Sequence, residues 1–274
     1  MIAVKAAIEA GNEILKIYDD PASDFGIERK ADNSPLTVAD KKAHETIVSF
    51  LNTTPYPILS EEGRAIPYAE RKDWNTLWIV DPLDGTKEFI KKNGEFTVNI
   101  ALVTAGIPVM GVIYVPVKHT LYFAADSLGA FRLENVDGSC ENLTIEELTG
   151  RSERLPVARD GRGEYIVVAS RSHLSAETAA YIEQMKERCD TVRLISTGSS
   201  IKICLVAEGS ADVYPRFAPT MEWDTAAGHA IARAAGMEIY QADKEIPVVY
   251  NKENLLNPWF IVEKRRKEKG SDDI

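Results

Sequence analysis

Cysteine is scarce in this chain, positive charge is in deficit, and no long apolar run occurs. Only Cys140, Cys189 and Cys204 are present in 274 residues, far apart and with no CxxC pair. That spacing argues against a disulfide framework or a zinc site and points to a reducing compartment. All three read as ordinary packing residues. The formal net charge is −10, so non-specific binding to nucleic acid is not expected. A phosphate-bearing ligand would be repelled at long range and needs local cations or metals. No apolar stretch approaches the ~20 residues that span a bilayer, and residues 1–5 lack a signal-peptide layout. What is present, 45% hydrophobic and 27% charged residues, is the composition of a soluble globular protein. The length suits one large domain or two tightly packed halves.

Periodicity divides the chain. Ala3, Ala7, Ile8, Ile14, Leu15 and Tyr18 recur at helical spacing, 19–36 reads as a loop, and 37–51 as a second helix. A short strand at 57–59 is followed by strands at 77–80, 97–104, 109–115, 120–124 and 129–133, which suggest an antiparallel meander. From there strands at 165–169, 191–195 and 211–214 alternate with helices at 175–188, 199–208 and 224–235, implying βαβ units. The polar stretch 150–163 is the best boundary, giving an N-terminal α+β half (1–155), a C-terminal α/β half (156–262) and a charged tail (263–274) expected to fray. No internal repeat is found. A basic tail can touch an anionic membrane surface, although a solvated terminus is the simpler reading.

The most informative run is Asp81-Pro82-Leu83-Asp84-Gly85-Thr86, directly after the apolar Leu77-Trp78-Ile79-Val80. Two carboxylates at a strand end are costly unless a cation sits between them. A hard divalent ion such as Mg²⁺ prefers such oxygens and keeps positions open for phosphate. Gly85 lets backbone approach a ligand, and Thr86 can open a helix whose N–H groups face an anion. Glu61, after the 57–59 strand, and Asp224, in Trp223-Asp224-Thr225-Ala226-Ala227-Gly228, are further metal candidates, with the Leu83 carbonyl as a backbone ligand. Hydrolysis of a phosphate monoester needs an activated water and charge neutralisation, and two or three Mg²⁺ ions can supply both.

Competing readings stand beside these. Thr37-Val38-Ala39-Asp40 is a helix capping box by spacing, Asp224 could equally cap its helix, and Glu61-Glu62 could be a solvated turn. Ser199 and Lys202, in a run that resembles a helix N-terminus suited to phosphate or sugar oxygens, and Arg216 and His173, each following a predicted strand, are candidate substrate contacts, though Lys202 and Arg216 could simply be surface charges. His44, His119 and His229 suit core or surface roles better than metal ligation, and the four tryptophans read as packing residues. The D-x-D-G-T signature of phosphatases that form an aspartyl phosphate is not matched, because two residues separate the acids here; that favours metal ligation over a nucleophile.

Taken together, Asp81 to Thr86 and Trp223 to Gly228 resemble the inositol monophosphatase superfamily, which shares its fold with fructose-1,6-bisphosphatase. Finer motifs are similar to the CysQ-type 3′(2′),5′-bisphosphate nucleotidases: Lys30-Ala31-Asp32-Asn33-Ser34-Pro35, Leu59-Ser60-Glu61-Glu62, Thr86-Lys87-Glu88-Phe89-Ile90-Lys91, Asn93-Gly94-Glu95-Phe96-Thr97, Ser170-Arg171-Ser172-His173, Gly198-Ser199-Ser200 and Tyr214-Pro215-Arg216. Thr86-Lys87-Glu88-Phe89 discriminates against inositol phosphatases, which usually read Asp-Gly-Thr-Thr-Asn-Phe. The resemblance implies an αβαβα sandwich, Glu61, Asp81, Asp84, Asp224 and the Leu83 carbonyl as Mg²⁺ ligands, and Asp40 with Thr86 as the water-activating pair, overriding a purely capping Asp40. It implies Gly85 and Thr86 as the phosphate turn, with Ser199, Lys202, Arg216, Asp224 and His173 at the nucleotide. The implied reaction is lithium-sensitive hydrolysis of adenosine 3′,5′-bisphosphate to AMP by direct attack of metal-activated water, with 3′-phosphoadenylyl sulfate as a further substrate. Such an enzyme is expected in the cytoplasm, with at most peripheral contact at the inner membrane face. An inositol monophosphatase or sugar bisphosphatase is the nearest alternative, and a non-catalytic nucleotide-binding regulator is the alternative of another class.

Overall fold

The computed structural model describes residues 1–30, 35–138, 140, 143–157, 163–170 and 175–266. Helices α1 (Ile2–Tyr18) and α2 (Val38–Leu51) flank a short antiparallel pair, β1 (Glu28–Arg29) and β2 (Pro35–Leu36). There follow β3 (Ile58–Ser60), α3 (Tyr68–Arg71), β4 (Thr76–Asp84), α4 (Thr86–Ile90), β5 (Thr97–Thr104), β6 (Ile107–Val115), β7 (Thr120–Ala125), β8 (Gly129–Leu133), α5 (Ile145–Arg151) and β9 (Glu153–Leu155). Strands β3 to β9 form a seven-stranded sheet in chain order, antiparallel except for β3 beside β4. The chain continues through β10 (Tyr165–Ser170), α6 (Ala176–Arg188), β11 (Val192–Thr197), α7 (Ile201–Ala207), β12 (Val213–Arg216), α8 (Glu222–Ala234), β13 (Met237–Gln241) and β14 (Phe260–Lys264). The second sheet has the order β11-β10-β12-β14-β13, with β10 parallel to β11 and β12, and β14 antiparallel to both its neighbours.

Strand periodicity makes the layers. Along β4, Trp78 and Val80 join the core under α1 and α2, while Leu77 and Ile79 join the core on the opposite face with α7 and α8. Successive side chains point to opposite faces, so a strand that is apolar at every position must be covered twice. The α7–α8 core also takes Ile166 and Val168 of β10, whereas Val167 packs with Ile182 of α6 on the far side of the second sheet. Helices, sheet, helices, sheet and helix therefore stack in turn, which is the expected αβαβα sandwich. Helix α8 fits between two sheets because its inner residues, Ala226, Ala227, Gly228 and Ala230, are small.

Several local expectations are corrected. The expected loop at 19–36 contains β1 and β2, and the strand expected at 77–80 runs on to Asp84 with a bulge between Asp81 and Asp84. The helix expected at 199–208 begins only at Ile201 because Ser199 is left-handed, at φ 45°. The tail does not fray from residue 263: β14 lies between β12 and β13 and extends to Lys264, while the backbone N–H of Arg266 donates to Tyr240 Oη at 3.0 Å. Residues 267–274 lie outside the described residues. Trp74, Trp78 and Trp223 pack in the cores, but Trp259 is 48% exposed, against Phe217. Among the described residues, no helix is long and apolar enough to cross a membrane. Cys140 and Cys204 are buried, Cys189 is half-buried, and all three are free thiols.

His229, in the middle of α8, is buried. Its Nδ1 lies 3.0 Å from Tyr250 Oη, and its Nε2 meets Glu238 Oε1. Burial holds the imidazole below its ordinary pKa, against the pull of Glu238. Glu238 is also lowered, because the bond to His229 outweighs the opposing effect of burial. Both groups thus bind protons less readily folded than unfolded, so the pair costs stability as pH falls, first below about 6.5 for the histidine and then below about 4.3 for the glutamate. The Tm gap between the wild type and His229→Gln, measured calorimetrically, should therefore narrow from pH 7.5 to 5.5. A constant gap would exclude His229 as the source.

Candidate active site

The bulge at the end of β4 turns the sequence Asp81-Pro82-Leu83-Asp84 into a floor. Asp81 Oδ1 accepts the Leu83 N–H at 3.1 Å, a local side-chain-to-backbone bond that closes the turn. Gly85 then adopts φ 97°, a conformation that only glycine takes without strain, and α4 starts at Thr86. A Cβ at Gly85 would stand 3.0 Å from the Glu95 carbonyl and 3.3 Å from Ser199 Cβ, so space as well as dihedral requires glycine.

Three of the expected acids converge. Carboxylate oxygens of Asp81, Asp84 and Asp224 all lie within 4.8 Å of one another. Burial, then the neighbouring Glu61, Asp84 and Asp224 charges, push the Asp81 carboxyl far above the usual range. Asp224 is raised by burial and then by Asp84 and Glu61. Asp84 is raised by burial, partly countered by Lys202 and by hydrogen bonds from Ser200. Its Oδ2 accepts the Ser200 N–H at 2.7 Å and Oγ–H at 2.9 Å. Asn99, behind it on β5, donates to Ser200 Oγ at 3.0 Å. Asp224 Oδ2 accepts the Met221 N–H at 2.8 Å; because α8 starts at Glu222 and not at the expected 224, Asp224 is its third residue and closes the cap from inside the helix instead of standing as the N-cap residue, and a second oxygen is left over.

Glu61 stands apart from this trio. It touches Asp81, but Lys30 Nζ lies 2.7 Å from its Oε1 and 2.5 Å from Glu62 Oε1. The Glu61-Glu62 turn is therefore neither solvated nor wholly turned to the cluster. The converging trio of carboxylates offers oxygen alone. Buried carboxylates so close together call for a cation, and oxygen donors select a hard divalent ion rather than zinc.

Asp40 does two things. Its Oδ2 takes the Thr37 N–H at 2.8 Å and Oγ1–H at 2.5 Å, completing the capping box of α2. Its Oδ1 accepts Thr86 Oγ1–H at 3.1 Å. Thr86 Oγ1 is also 3.4 Å from the Leu83 carbonyl, so the hydroxyl stands between α2 and the floor.

Above the floor is a cleft of about 450 Å³, lined by Glu61, Asp84, Gly85, Thr86, Ser199, Lys202, Arg216 and Asp224 among others. Lys202 is buried, and its pKa falls to about 8 through burial, against the pull of Asp84. Its Nζ donates to the Ser199 carbonyl at 2.5 Å and lies 5.6 Å from the centre of the Tyr214 ring. Arg216 Nη2 donates to the Pro219 carbonyl at 3.1 Å, and its Nε is buried without a partner. Neither cation is the surface charge that composition alone allowed. His173 lies outside the described residues. His44 is half-buried beside Ser60 and His119 is exposed. Sequence reasoning missed the support that Lys30, Asn99 and Ser200 give the acids; a polar Asn99 inside an apolar strand was the one available signal.

The profile of the inositol monophosphatase family matches residues 1–269. The chain belongs to that family. It is 46% identical over 259 residues to the 3′(2′),5′-bisphosphate nucleotidase CysQ of Escherichia coli O157:H7, covering 93% of this chain and 96% of the relative. The crystal structure of CysQ from Bacteroides thetaiotaomicron, a bacterial member of the family, superposes with a TM-score of 0.91 at 65% identity over 97% of each chain. The extragenic suppressor protein suhB from Bartonella henselae, 26% identical, superposes with a TM-score of 0.72 over 96% of this chain and 92% of that one. The family is metal-dependent, and its members share the layered α/β architecture that carries the acidic floor here.

Proposed function

We propose that the chain is a Mg²⁺-dependent 3′(2′),5′-bisphosphate nucleotidase that removes the 3′-phosphate of adenosine 3′,5′-bisphosphate to give AMP. The observation that carries this reading is the cleft: an all-oxygen acidic floor faces Lys202 and Arg216 across a space of about 450 Å³. Such a site suits a ligand with one phosphate at the floor and further anionic or polar groups along the wall. The nucleotidase named among the relatives supplies the substrate class, and Thr86-Lys87-Glu88-Phe89 supports nucleotide over inositol phosphate.

In this reading Asp81, Asp84, Asp224 and the Leu83 carbonyl hold the metal, with Glu61 completing the set once it parts from Lys30. When bound there, two or three Mg²⁺ ions neutralise the phosphoryl oxygens and acidify an attacking water. Asp40 Oδ1 accepts a proton passed through Thr86 Oγ1, since the two already share a hydrogen bond. Gly85 and Thr86 present backbone N–H groups to the scissile phosphate, and Ser199, Lys202 and Arg216 contact the rest of the nucleotide. The first half of the chain, 1–155, contributes most of the floor, and the second, 156–262, contributes Asp224 and the wall.

Phosphate release from a panel of adenosine 3′,5′-bisphosphate, 3′-phosphoadenylyl sulfate, inositol 1-phosphate and fructose 1,6-bisphosphate, with and without Mg²⁺ and Li⁺, tests the reading. Preference for an inositol or sugar phosphate would overturn it. A second expectation concerns stability. Mg²⁺ at 100 times its Kd should stabilise the metal-free protein by about 2.7 kcal/mol, read as a rise in Tm that EDTA reverses. An unmoved Tm at millimolar Mg²⁺ would remove the metal from the floor.

A further inference from the structure

The turn from Thr197 to Ser200 is pinned on both sides by acids from the other half of the chain. On one side the Gly198 N–H donates to Glu95 Oε2 at 2.8 Å. On the other, Ser200 donates to Asp84 through both N–H and Oγ–H, at 2.7 and 2.9 Å. Between these fixed points Ser199 is held at φ 45°. A serine enters this left-handed region at a cost and stays only where its surroundings over-determine it. Its hydroxyl is buried without a hydrogen-bond partner, on the wall of the cleft. A buried orphan hydroxyl is rare and asks for an explanation.

The approach at this junction is tight. A Cβ at Gly198 would stand 2.8 Å from the Glu95 carbonyl and 3.0 Å from Glu88 Cγ, so the turn must lie flat against the 93–96 loop. The Ser199 carbonyl in turn anchors Lys202 Nζ at 2.5 Å. The partnerless Nε of Arg216 belongs to the same cleft wall. A hydroxyl that can donate, an ammonium and a guanidinium N–H are three donors on one wall, a set that matches phosphate oxygens.

We propose that Glu95 is a positioning residue for substrate selection. It holds the Gly198 turn so that Ser199 Oγ and Lys202 Nζ meet the phosphate of the substrate that is not cleaved. The inference rests on the bisphosphate reading above and deepens it. Glu95 acts through the turn, not on the substrate. Releasing the Gly198 N–H lets Ser199 relax out of its left-handed conformation and carries both the hydroxyl and the anchor of Lys202 away.

The test uses the full chain with Mg²⁺ and two substrates, adenosine 3′,5′-bisphosphate and adenosine 3′-monophosphate, which lacks the second phosphate. Glu95→Ala should raise KM for the bisphosphate by about 10- to 100-fold, the range for losing a hydrogen bond to a charged group, with kcat within about threefold. Its kcat/KM for the monophosphate should change little, so discrimination between the two substrates collapses. Glu95→Gln, which keeps an oxygen to accept from Gly198, should restore most of that discrimination. Ser199→Ala should reproduce part of the loss, and the double variant should add little to Glu95→Ala, as expected for residues acting as one unit. Equal losses on both substrates, or additive effects of Glu95→Ala and Ser199→Ala, would overturn the proposal. Should Glu95→Ala fail to fold, unchanged discrimination in Ser199→Ala overturns it equally. A wild type that prefers neither substrate sinks the functional reading itself, whereas a discriminating wild type with an indifferent Glu95→Ala sinks only the role of Glu95.

Discussion

Asp84→Asn is expected to lower phosphate release from adenosine 3′,5′-bisphosphate by at least about a thousandfold, the upper range for deleting one electrostatic stabiliser of a transition state. The geometry lets the substitution separate chemistry from folding. One carboxylate oxygen of Asp84 accepts from Ser200, and an asparagine carbonyl can keep those bonds. The new NH₂ group then points toward Asp81 and Asp224, where it can donate to carboxylates that otherwise repel one another. The metal-free variant should therefore melt at or above the wild-type Tm, yet gain nothing from Mg²⁺. Full activity, or a normal Mg²⁺-dependent rise in Tm, would exclude Asp84 from the metal floor. A variant that is merely less stable under all conditions would show that Asp84 serves only to tie the Ser200 turn to β4.

Asp40→Asn should cost about 10² to 10⁴ in kcat, the span typical of a general acid–base group. Its two oxygens divide the labour: Oδ2 caps α2 and Oδ1 takes the Thr86 hydroxyl. Asp40 is the third residue of the capping box, and an asparagine carbonyl there can still accept from the Thr37 N–H, so the cap survives and stability should change little. The carbonyl stays with Thr37, leaving an NH₂ opposite Thr86 that cannot take a proton. Thr86→Val should give a comparable loss, and Thr86→Ser should recover most of the activity. Near-normal turnover by Asp40→Asn would leave this residue as a cap alone.

Helix α1, the meander and the βαβ units were legible because apolar spacing at 3.6 or 2 residues reports which faces are buried. The order of the second sheet was not, since nothing local to β13 or β14 says that β14 inserts antiparallel between β12 and β13. That addition is also why Arg265 and Arg266 are ordered where a loose tail was expected. At the site, Asp81-Pro82-Leu83-Asp84-Gly85-Thr86 announced its carboxylates through their cost at the end of an apolar strand. Asp40 and Asp224 were ambiguous because capping and catalysis ask for the same residue at the same helix position, and here each side chain offers one oxygen to its cap. The engagement of Glu61 by Lys30, and of Asp84 by Ser200, could not be read at all, and Asn99 signalled only that a polar side chain sat in an apolar strand, because these partners meet only through strand pairing and loop contact.

The residues alone thus determined the kind of chemistry on offer: which oxygens are available, that crowded carboxylates suit a cation, and that phosphate is a fitting ligand, since these follow from charge and donor type. The tertiary structure decided which acids share a floor and which are held aside, and it turned Lys202 and Arg216 from nominal surface charges into the wall of a cleft. The physical reason is that the cost of a buried charge depends on what lies within a few ångströms of it, and those neighbours come from distant parts of the chain.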